Sequence, residues 1–166
     1  MSDSPHGTTA ERRSFQYFRR LASVEFTGPF ISEFWSRLVL QAVYADLAVW
    51  HAIIAVASEH EAYYSKDRNG SSVSPAFAIQ QYTKAISLLQ RRLSTSTSDD
   101  QSSEIALICC LLFITFESLR GCHNSAYVHL RNGLCILARL VMTSRTSGTV
   151  MNDLVPVFLR LSGVFG

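Results

Sequence analysis

The sequence predicts an all-α protein, an antiparallel bundle or array of about seven helices joined by short loops. Apolar residues recur at helical spacing through most of the chain, and no alternating strand pattern flanked by Asn-Gly or Asp-Gly turns interrupts them. From Ile105 to Phe116 the chain is apolar on every side, as a helix is when neighbours surround it. Gly121 then offers a stop, after which the next helix can fold back antiparallel.

The composition predicts a packed domain without a nucleic-acid-binding surface. Hydrophobic residues make up 48% and charged residues 17% of the 166 positions, enough for a full core and for further contacts with a partner or with missing sequence. The net charge is only +2, and the basic residues are dispersed. Their densest group, Arg12-Arg13 with Arg19-Arg20, is interpreted as the solvated side of a helix rather than a nuclear-import or phosphate-contacting segment. Direct DNA binding is therefore not expected from this chain alone.

The first part of the chain predicts a lead-in followed by three helices. Residues 1–13 are expected to form a disordered N-terminal lead-in, and residues 14–166 a single helical domain. Apolar residues at helical spacing predict helices over Ser14–Phe26 and Phe30–Tyr44, with a Thr-Gly-Pro break between them. Asp46 is the candidate N-cap of the third helix, because its carboxylate can accept from the free amides of the first turn.

The second part predicts four more helices, separated by loops rich in Ser, Thr and Gly. These helices are expected over Ala76–Leu93, Glu104–Arg120, Asn124–Val141 and Val150–Leu161. Ser98 with Gln101 is a candidate capping box for the apolar helix, and Pro156 marks a defect or a boundary in the last helix. The pair over Glu104–Val141 has the size and shape of a tetratricopeptide-type unit, although no fixed repeat period recurs.

The cysteine pattern predicts core packing and no metal or cofactor in this chain. Cys109 and Cys110 are adjacent, so their side chains diverge by roughly 100° on a helix, and no Cys-x-x-Cys pair exists for a zinc site. Free thiols in apolar surroundings and a polar N-terminal segment indicate a reducing, intracellular compartment. The apolar run at 105–116 is shorter than the about 20 residues of a membrane span, and no membrane segment is predicted.

No catalytic residues are predicted, and the chain is not expected to be an enzyme. His51 and His60 lack the spacing of a metalloprotease helix, in which two histidines lie four residues apart. The Gly-x-Ser-x-Gly elbow of serine hydrolases and the Gly-rich loops that bind phosphates do not occur. A helical metal-dependent hydrolase is the weakest of the alternatives for this chain.

Glu117 is the polar residue that the sequence singles out. It lies on a helix that is otherwise apolar all round, and a buried carboxylate needs a partner. Arg120 is placed three residues on, and Arg131 or His129 could reach back from the next helix. We predict a structural charge cluster of Glu117, Arg120 and Arg131 that sets the register of the helices, in preference to a ligand site.

The stretch from Leu107 to Gly121 also resembles a known family, the fungal-specific transcription factor domain. The matching residues are Leu107–Gly121 followed by Ala126, His129-Leu130, Gly133-Leu134 and Ile136-Leu137. The order and spacing of looser matches extend the resemblance from about Ser32 to Leu161. This family forms the helical regulatory region downstream of the six-cysteine zinc cluster in fungal transcription factors.

The resemblance implies a nuclear regulatory and interaction domain without catalytic residues. Zinc is expected only in the family's N-terminal cluster, and no cysteine precedes Cys109 here, so the DNA-binding module is expected to be absent. Family members usually continue for more helices, so the domain is expected to be incomplete at its C-terminus. Protein partners or self-association through apolar helix faces are expected, and a small-molecule effector is compatible with the family. The alternative from another class is a free-standing helical scaffold, related to tetratricopeptide repeats, that binds proteins.

Overall fold

The computed structural model describes residues 7–22, 34–65, 74–95 and 100–165. Within these ranges the chain is all-α and contains no strand, which confirms the predicted fold class. The seven α-helices of this part are α1 (Thr9–Ala22), α2 (Leu40–Ala45), α3 (Leu47–Tyr64), α4 (Pro75–Thr95), α5 (Asp100–Leu119), α6 (His123–Met142) and α7 (Val155–Phe165). Two π-helical segments, Phe34–Val39 and Val150–Leu154, precede α2 and α7. The tetratricopeptide-like character of the α5–α6 pair stays a prediction.

Helix α1 begins at Thr9, earlier than the start at Ser14 that the apolar spacing predicts. The backbone N–H of Glu11 donates to the Thr8 hydroxyl at 3.2 Å, and the Thr8 N–H donates to the Glu11 carboxylate at 2.9 Å. This reciprocal pair is a capping box, which satisfies two amides that the first turn would otherwise leave free. The predicted lead-in over residues 1–13 therefore does not extend to Thr9–Arg13, because the cap starts the helix before the apolar pattern does.

Two apolar helices, α3 and α5, form the centre of the core. In α5 every side chain from Ile105 to Glu117 is buried, as the all-round apolar pattern predicts. In α3 the buried run extends from Ala48 to Ser58. The Asp46 carboxylate accepts from the Ala48 N–H at 2.7 Å, so Asp46 is the N-cap of α3, as predicted.

The other helices cover these two. Helix α4 packs along α3, α6 packs along α5, and α1 lies against α3 on another side. Helix α7 closes over α6, where Gly133 faces the ring of Phe158 so closely that a Cβ at position 133 would clash with it. A small residue at 133 is thus what allows α7 to approach the backbone of α6.

Pro156 lies inside a helical stretch, and a π-helical segment directly before it accommodates the ring. The Val155 N–H bonds to the Val150 carbonyl, five residues back, instead of four. This wider turn removes the clash that proline makes with the preceding turn of an α-helix. Pro156 therefore lies in the first turn of α7, at the junction with the π-helical segment, which is the boundary that the sequence left open. The predicted Thr-Gly-Pro break at 27–29 and Ser98 of the predicted capping box lie outside the described residues.

Helix α5 is also the one described helix that is long and apolar enough to cross a membrane, with a mean hydropathy of 1.7 over its most apolar stretch. Other helices bury 78% of that stretch. The burial explains the composition, because a core helix surrounded by protein needs no polar face.

Helices α5 and α6 end in the same left-handed turn, although with different residues. After α5, the Cys122 N–H donates to the Glu117 carbonyl at 2.8 Å and the Gly121 N–H to the Ser118 carbonyl at 3.0 Å, with φ +74° at Gly121. After α6, Arg145 and Ser144 make the equivalent bonds, and Ser144 takes φ +53°. These are Schellman caps, which favour glycine at the left-handed position.

We predict opposite effects of exchanging the residue type at these two caps. Gly121→Ala should lower the free energy of unfolding by about 1 kcal/mol, because a Cβ at 121 meets no atom but the backbone stays left-handed. Ser144→Gly should raise it by about 0.5–1 kcal/mol, because it removes that strain. Urea unfolding of both variants measures the changes, and equal signs would contradict the cap assignment.

Candidate functional site

A buried chain of hydrogen bonds joins three helices. The Gln81 side chain of α4 donates its amide N–H to Glu11 Oε1 of α1 at 3.0 Å. Its carbonyl oxygen lies 2.6 Å from His51 Nδ1 of α3, and an amide oxygen only accepts, so Nδ1 carries the proton. All three side chains are buried. The cluster places α1, α3 and α4 in one register, because a shift of any helix would leave a buried polar group unpaired.

The surroundings keep Glu11 ionised and His51 neutral. Burial opposes the charge on Glu11, but bonds from the Thr8 N–H and Gln81 and the nearby His51 and Lys84 outweigh it and lower the pKa of Glu11. Burial lowers the pKa of His51, against the opposing bond to Gln81. These charge states suit the hydrogen bonds between the helices. The Glu11 carboxylate accepts from two donors, and the neutral His51 ring donates to the Gln81 amide oxygen.

Helix α1 is fastened to α3 by three further polar contacts along its length. Arg13 donates to both oxygens of Glu61, at 2.7 and 3.3 Å. Ser14 and Ser58 share a buried hydrogen bond of 3.2 Å. Tyr17 Oη lies 3.0 Å from His60 Nδ1. Since apolar contacts alone are not directional, this series fixes the position of α1 on α3.

A second, partly buried polar cluster joins α4, α5 and α6. The Tyr82 hydroxyl of α4 lies 2.8 Å from His129 Nε2 of α6, and the Glu117 carboxylate of α5 interacts with the same hydroxyl. An arrangement in which His129 donates to Tyr82 and Tyr82 donates to Glu117 satisfies all three groups. Burial and the bond to Glu117 raise the pKa of Tyr82, and burial lowers the pKa of His129 although Glu117 opposes it. The Tyr82 ring stacks on Phe116 at 4.4 Å.

The predicted charge cluster of Glu117, Arg120 and Arg131 is dispersed in the structure. Glu117 is buried beside Tyr82. Arg120 bonds to Glu59 of α3 at 3.5 Å, and its guanidinium lies 5.5 Å from the centre of the Phe116 ring. Arg131 is exposed on α6. Within the described ranges, neither arginine reaches Glu117 within 4.0 Å, so the partner that the structure gives to this carboxylate is a tyrosine.

Arg92 makes a junction that the sequence did not indicate. From the end of α4 its guanidinium bonds to the N-cap carboxylate of Asp46 and, at 3.2 Å, to the Ser102 hydroxyl of α5. The starts of α3 and α5 are therefore held by one side chain. Arg92 was missed because its two partners are distant in sequence. Glu11 could have been found, since Thr8 and Glu11 have the spacing of a capping box.

The cysteines are placed as core residues or single surface thiols. Cys109 and Cys110 are buried, and burial raises the pKa of both thiols, that of Cys110 to about 12. Cys122 is half-buried and Cys135 is exposed. Among the described residues, no three His, Cys, Asp or Glu side chains are placed to hold one metal ion.

The polar contacts of the described residues tie the helices to one another. A family model for the fungal-specific transcription factor domain matches residues 14–153. The chain therefore belongs to the fungal-specific transcription factor domain family, as the resemblance in its α5–α6 region predicted. No solved structure matches the chain.

Two curated relatives are transcription regulators. The chain is 32% identical over 128 residues to the transcription regulator lscL of Purpureocillium lilacinum, a match that covers 73% of this chain and 30% of the relative. It is 30% identical over 152 residues to the aspercryptin biosynthesis cluster-specific transcription regulator atnN of Emericella nidulans, covering 87% of this chain and 23% of the relative. The chain thus spans less than a third of the length of either relative.

The hydrogen bonds of Gln81 predict that its replacement destabilises the protein more than replacement of its exposed neighbour Gln80. Gln81→Ala should lower the free energy of unfolding by about 1–3 kcal/mol, because it leaves His51 and Glu11 without a buried partner. Gln80→Ala, on the exposed neighbouring position of α4, should change it by less than about 0.5 kcal/mol. Urea unfolding at neutral pH measures both variants, and equal losses would show that these hydrogen bonds add no stability.

The lowered pKa values of His51 and His129 predict a loss of stability in mild acid. His51 and His129 bind protons less readily when folded than at the ordinary value of 6.5, so the unfolded chain takes up more protons. The free energy of unfolding should fall as the pH drops below about 6.5, and the lowered pKa of Glu11 should add a further loss below about 4.5. Replacing both histidines by glutamine should flatten the profile between pH 7 and 5.5, whereas His123→Gln at an exposed position should leave it steep.

Proposed function

We propose that this chain is the regulatory and interaction domain of a fungal transcription regulator and acts in the nucleus. The observation that carries the proposal is the family match over residues 14–153, together with two relatives that are transcription regulators. An all-helical body with a filled core suits a domain that acts through contacts of its surface. Catalysis is not part of this proposal, which assigns the polar clusters of the described residues to the linking of helices.

DNA recognition is assigned, in this proposal, to another part of the regulator or to a partner. Five described arginines are engaged with carboxylates of the same chain: Arg13, Arg37, Arg92, Arg120 and Arg145. Pairing of this kind reduces the positive charge that is available for phosphates. The relatives are more than three times as long as the matched region, which leaves room for a separate DNA-binding module in such proteins.

Contacts with the rest of the regulator, or with a protein partner, are proposed for the outer side of α6 and α7. Apolar side chains there are strongly exposed, with Met142 at 86%, Val164 at 68% and Leu159 at 62% of their maximal accessible area. We propose that another protein covers some of these exposed apolar side chains.

A fusion experiment tests the proposal. The chain is joined to a heterologous sequence-specific DNA-binding module, and reporter transcription in a fungal host is compared with that of the module alone. We expect at least a several-fold change in output and nuclear accumulation of the tagged chain. A matched fusion with Leu111→Asp, which places a charge in the core of α5, should lose the effect.

Two results would contradict the proposal. One is reporter output equal to that of the module alone, with the tagged chain excluded from nuclei, which would favour a helical scaffold outside the nucleus. The other is specific binding of a DNA operator by the purified chain with a steep salt dependence, which would assign DNA recognition to these residues.

A further inference from the structure

A small groove opens between α2 and the N-terminal half of α5. Its floor consists of four side chains that are otherwise buried in the core: Leu38, Ala42, Ile105 and Ile108. Gln41 and Ala45 form one edge, and Gln101 and Glu104 form the other. The cavity measures about 220 Å³ and is open to solvent. An apolar floor with a few polar groups at the rim is the usual construction of a small-molecule site.

Glu104 is the charged group of this groove, and it is half-buried. Burial raises the pKa of Glu104, and the nearby carboxylate of Asp153 raises it further. Asp153 is itself paired with Arg37 at 3.2 Å, and at the start of α5 Arg145 is paired with Asp100 at 3.0 Å. In the described part of the chain, no cation lies within ion-pair distance of Glu104. A partly desolvated carboxylate without a counter-ion favours a cation from outside.

The size of the groove limits what can supply that cation. Since one water occupies about 30 Å³ in the liquid, the cavity has room for a ligand of about seven non-hydrogen atoms. We propose that this groove binds a small primary alkylamine, with its ammonium group on Glu104 and its hydrocarbon stem on the floor of Leu38, Ala42, Ile105 and Ile108. The ammonium donates a charge-assisted hydrogen bond to the carboxylate, and the stem packs on the small part of the apolar floor that stays open to water.

The site does not depend on the proposed role in transcription, because its occupancy is measured on the purified chain. The probe is n-hexylamine, titrated at neutral pH into the ¹⁵N-labelled full chain while amide chemical shifts are followed. We expect millimolar binding with the largest shifts in the amides of Ala42, Ile105 and Ile108. 1-Hexanol, which has the same length without a charge, and hexanoate, which has the opposite charge, should bind at least about tenfold more weakly.

Two variants and one matched control connect the binding to the groove. Glu104→Gln keeps the shape and removes the charge, so it should weaken n-hexylamine about tenfold. Ala45→Leu fills the mouth from an exposed position and should weaken n-hexylamine and 1-hexanol alike. Glu61→Gln also removes one negative charge, but outside the groove lining, where Glu61 pairs with Arg13 of α1, and it should leave the affinity unchanged.

Three results would overturn the proposal. The first is equal binding of 1-hexanol and n-hexylamine, or binding that Glu104→Gln does not weaken. The second is a set of shifted amides outside the groove. The third is tighter binding of a lysine capped at both ends than of n-hexylamine, because the occupant would then be a protein side chain and not a free amine.

Discussion

The fold depends on the burial of two helices that are apolar on all sides. Helix α5 has no polar face from Ile105 to Phe116, and most of α3 is equally buried, so neither can lie at the surface of the protein. Each must be surrounded, and the amphipathic helices α1, α4 and α6 supply the cover. Burial of each fully enclosed Leu, Ile or Phe contributes about 1.5–3 kcal/mol, so the enclosed side chains of the two helices together outweigh any single polar contact.

Apolar burial alone does not fix the positions of the covering helices along α3 and α5, because apolar contacts are not directional. The polar clusters provide that information. Gln81 and Tyr82 are neighbours on α4, yet Gln81 bonds towards α1 and α3, and Tyr82 bonds towards α6. Helix α4 therefore links the two sides of the bundle, and Arg92 at its end adds a tie to the starts of α3 and α5. A change at one side therefore has a short covalent path to the other.

Features determined by neighbouring residues in the sequence could be predicted. The cap at Asp46, the turn at Gly121 and the burial of Cys109 depend on local backbone geometry and on an apolar run, and the structure confirms them. Membership of the family could also be predicted, because the matching residues in α5 and α6 follow one another closely in the chain.

Features determined by tertiary contacts could not be predicted. Glu117 was expected to pair with Arg120, or with Arg131 or His129 of the next helix. The fold places Tyr82 of α4 beside it, and His129 bonds to that hydroxyl. Arg120 pairs instead with Glu59 of α3. Gln81 is buried where α4 meets its neighbours, and its side chain bonds to both α1 and α3. The choice of partner depends on which helices become neighbours, and a local pattern does not contain that information.

Native-state hydrogen exchange tests most directly whether the enclosed helices α3 and α5 form the centre of the fold. Amides of Ile108, Leu111 and Leu112 in α5 and of Ile53 and Ile54 in α3 should exchange only through global unfolding, with the same free energy as urea unfolding. Amides in α7, which covers the outside, should exchange through smaller local openings. Fast exchange in α5 with strong protection in α7 would contradict the account, because the enclosed helix would then not be the most stable part of the molecule.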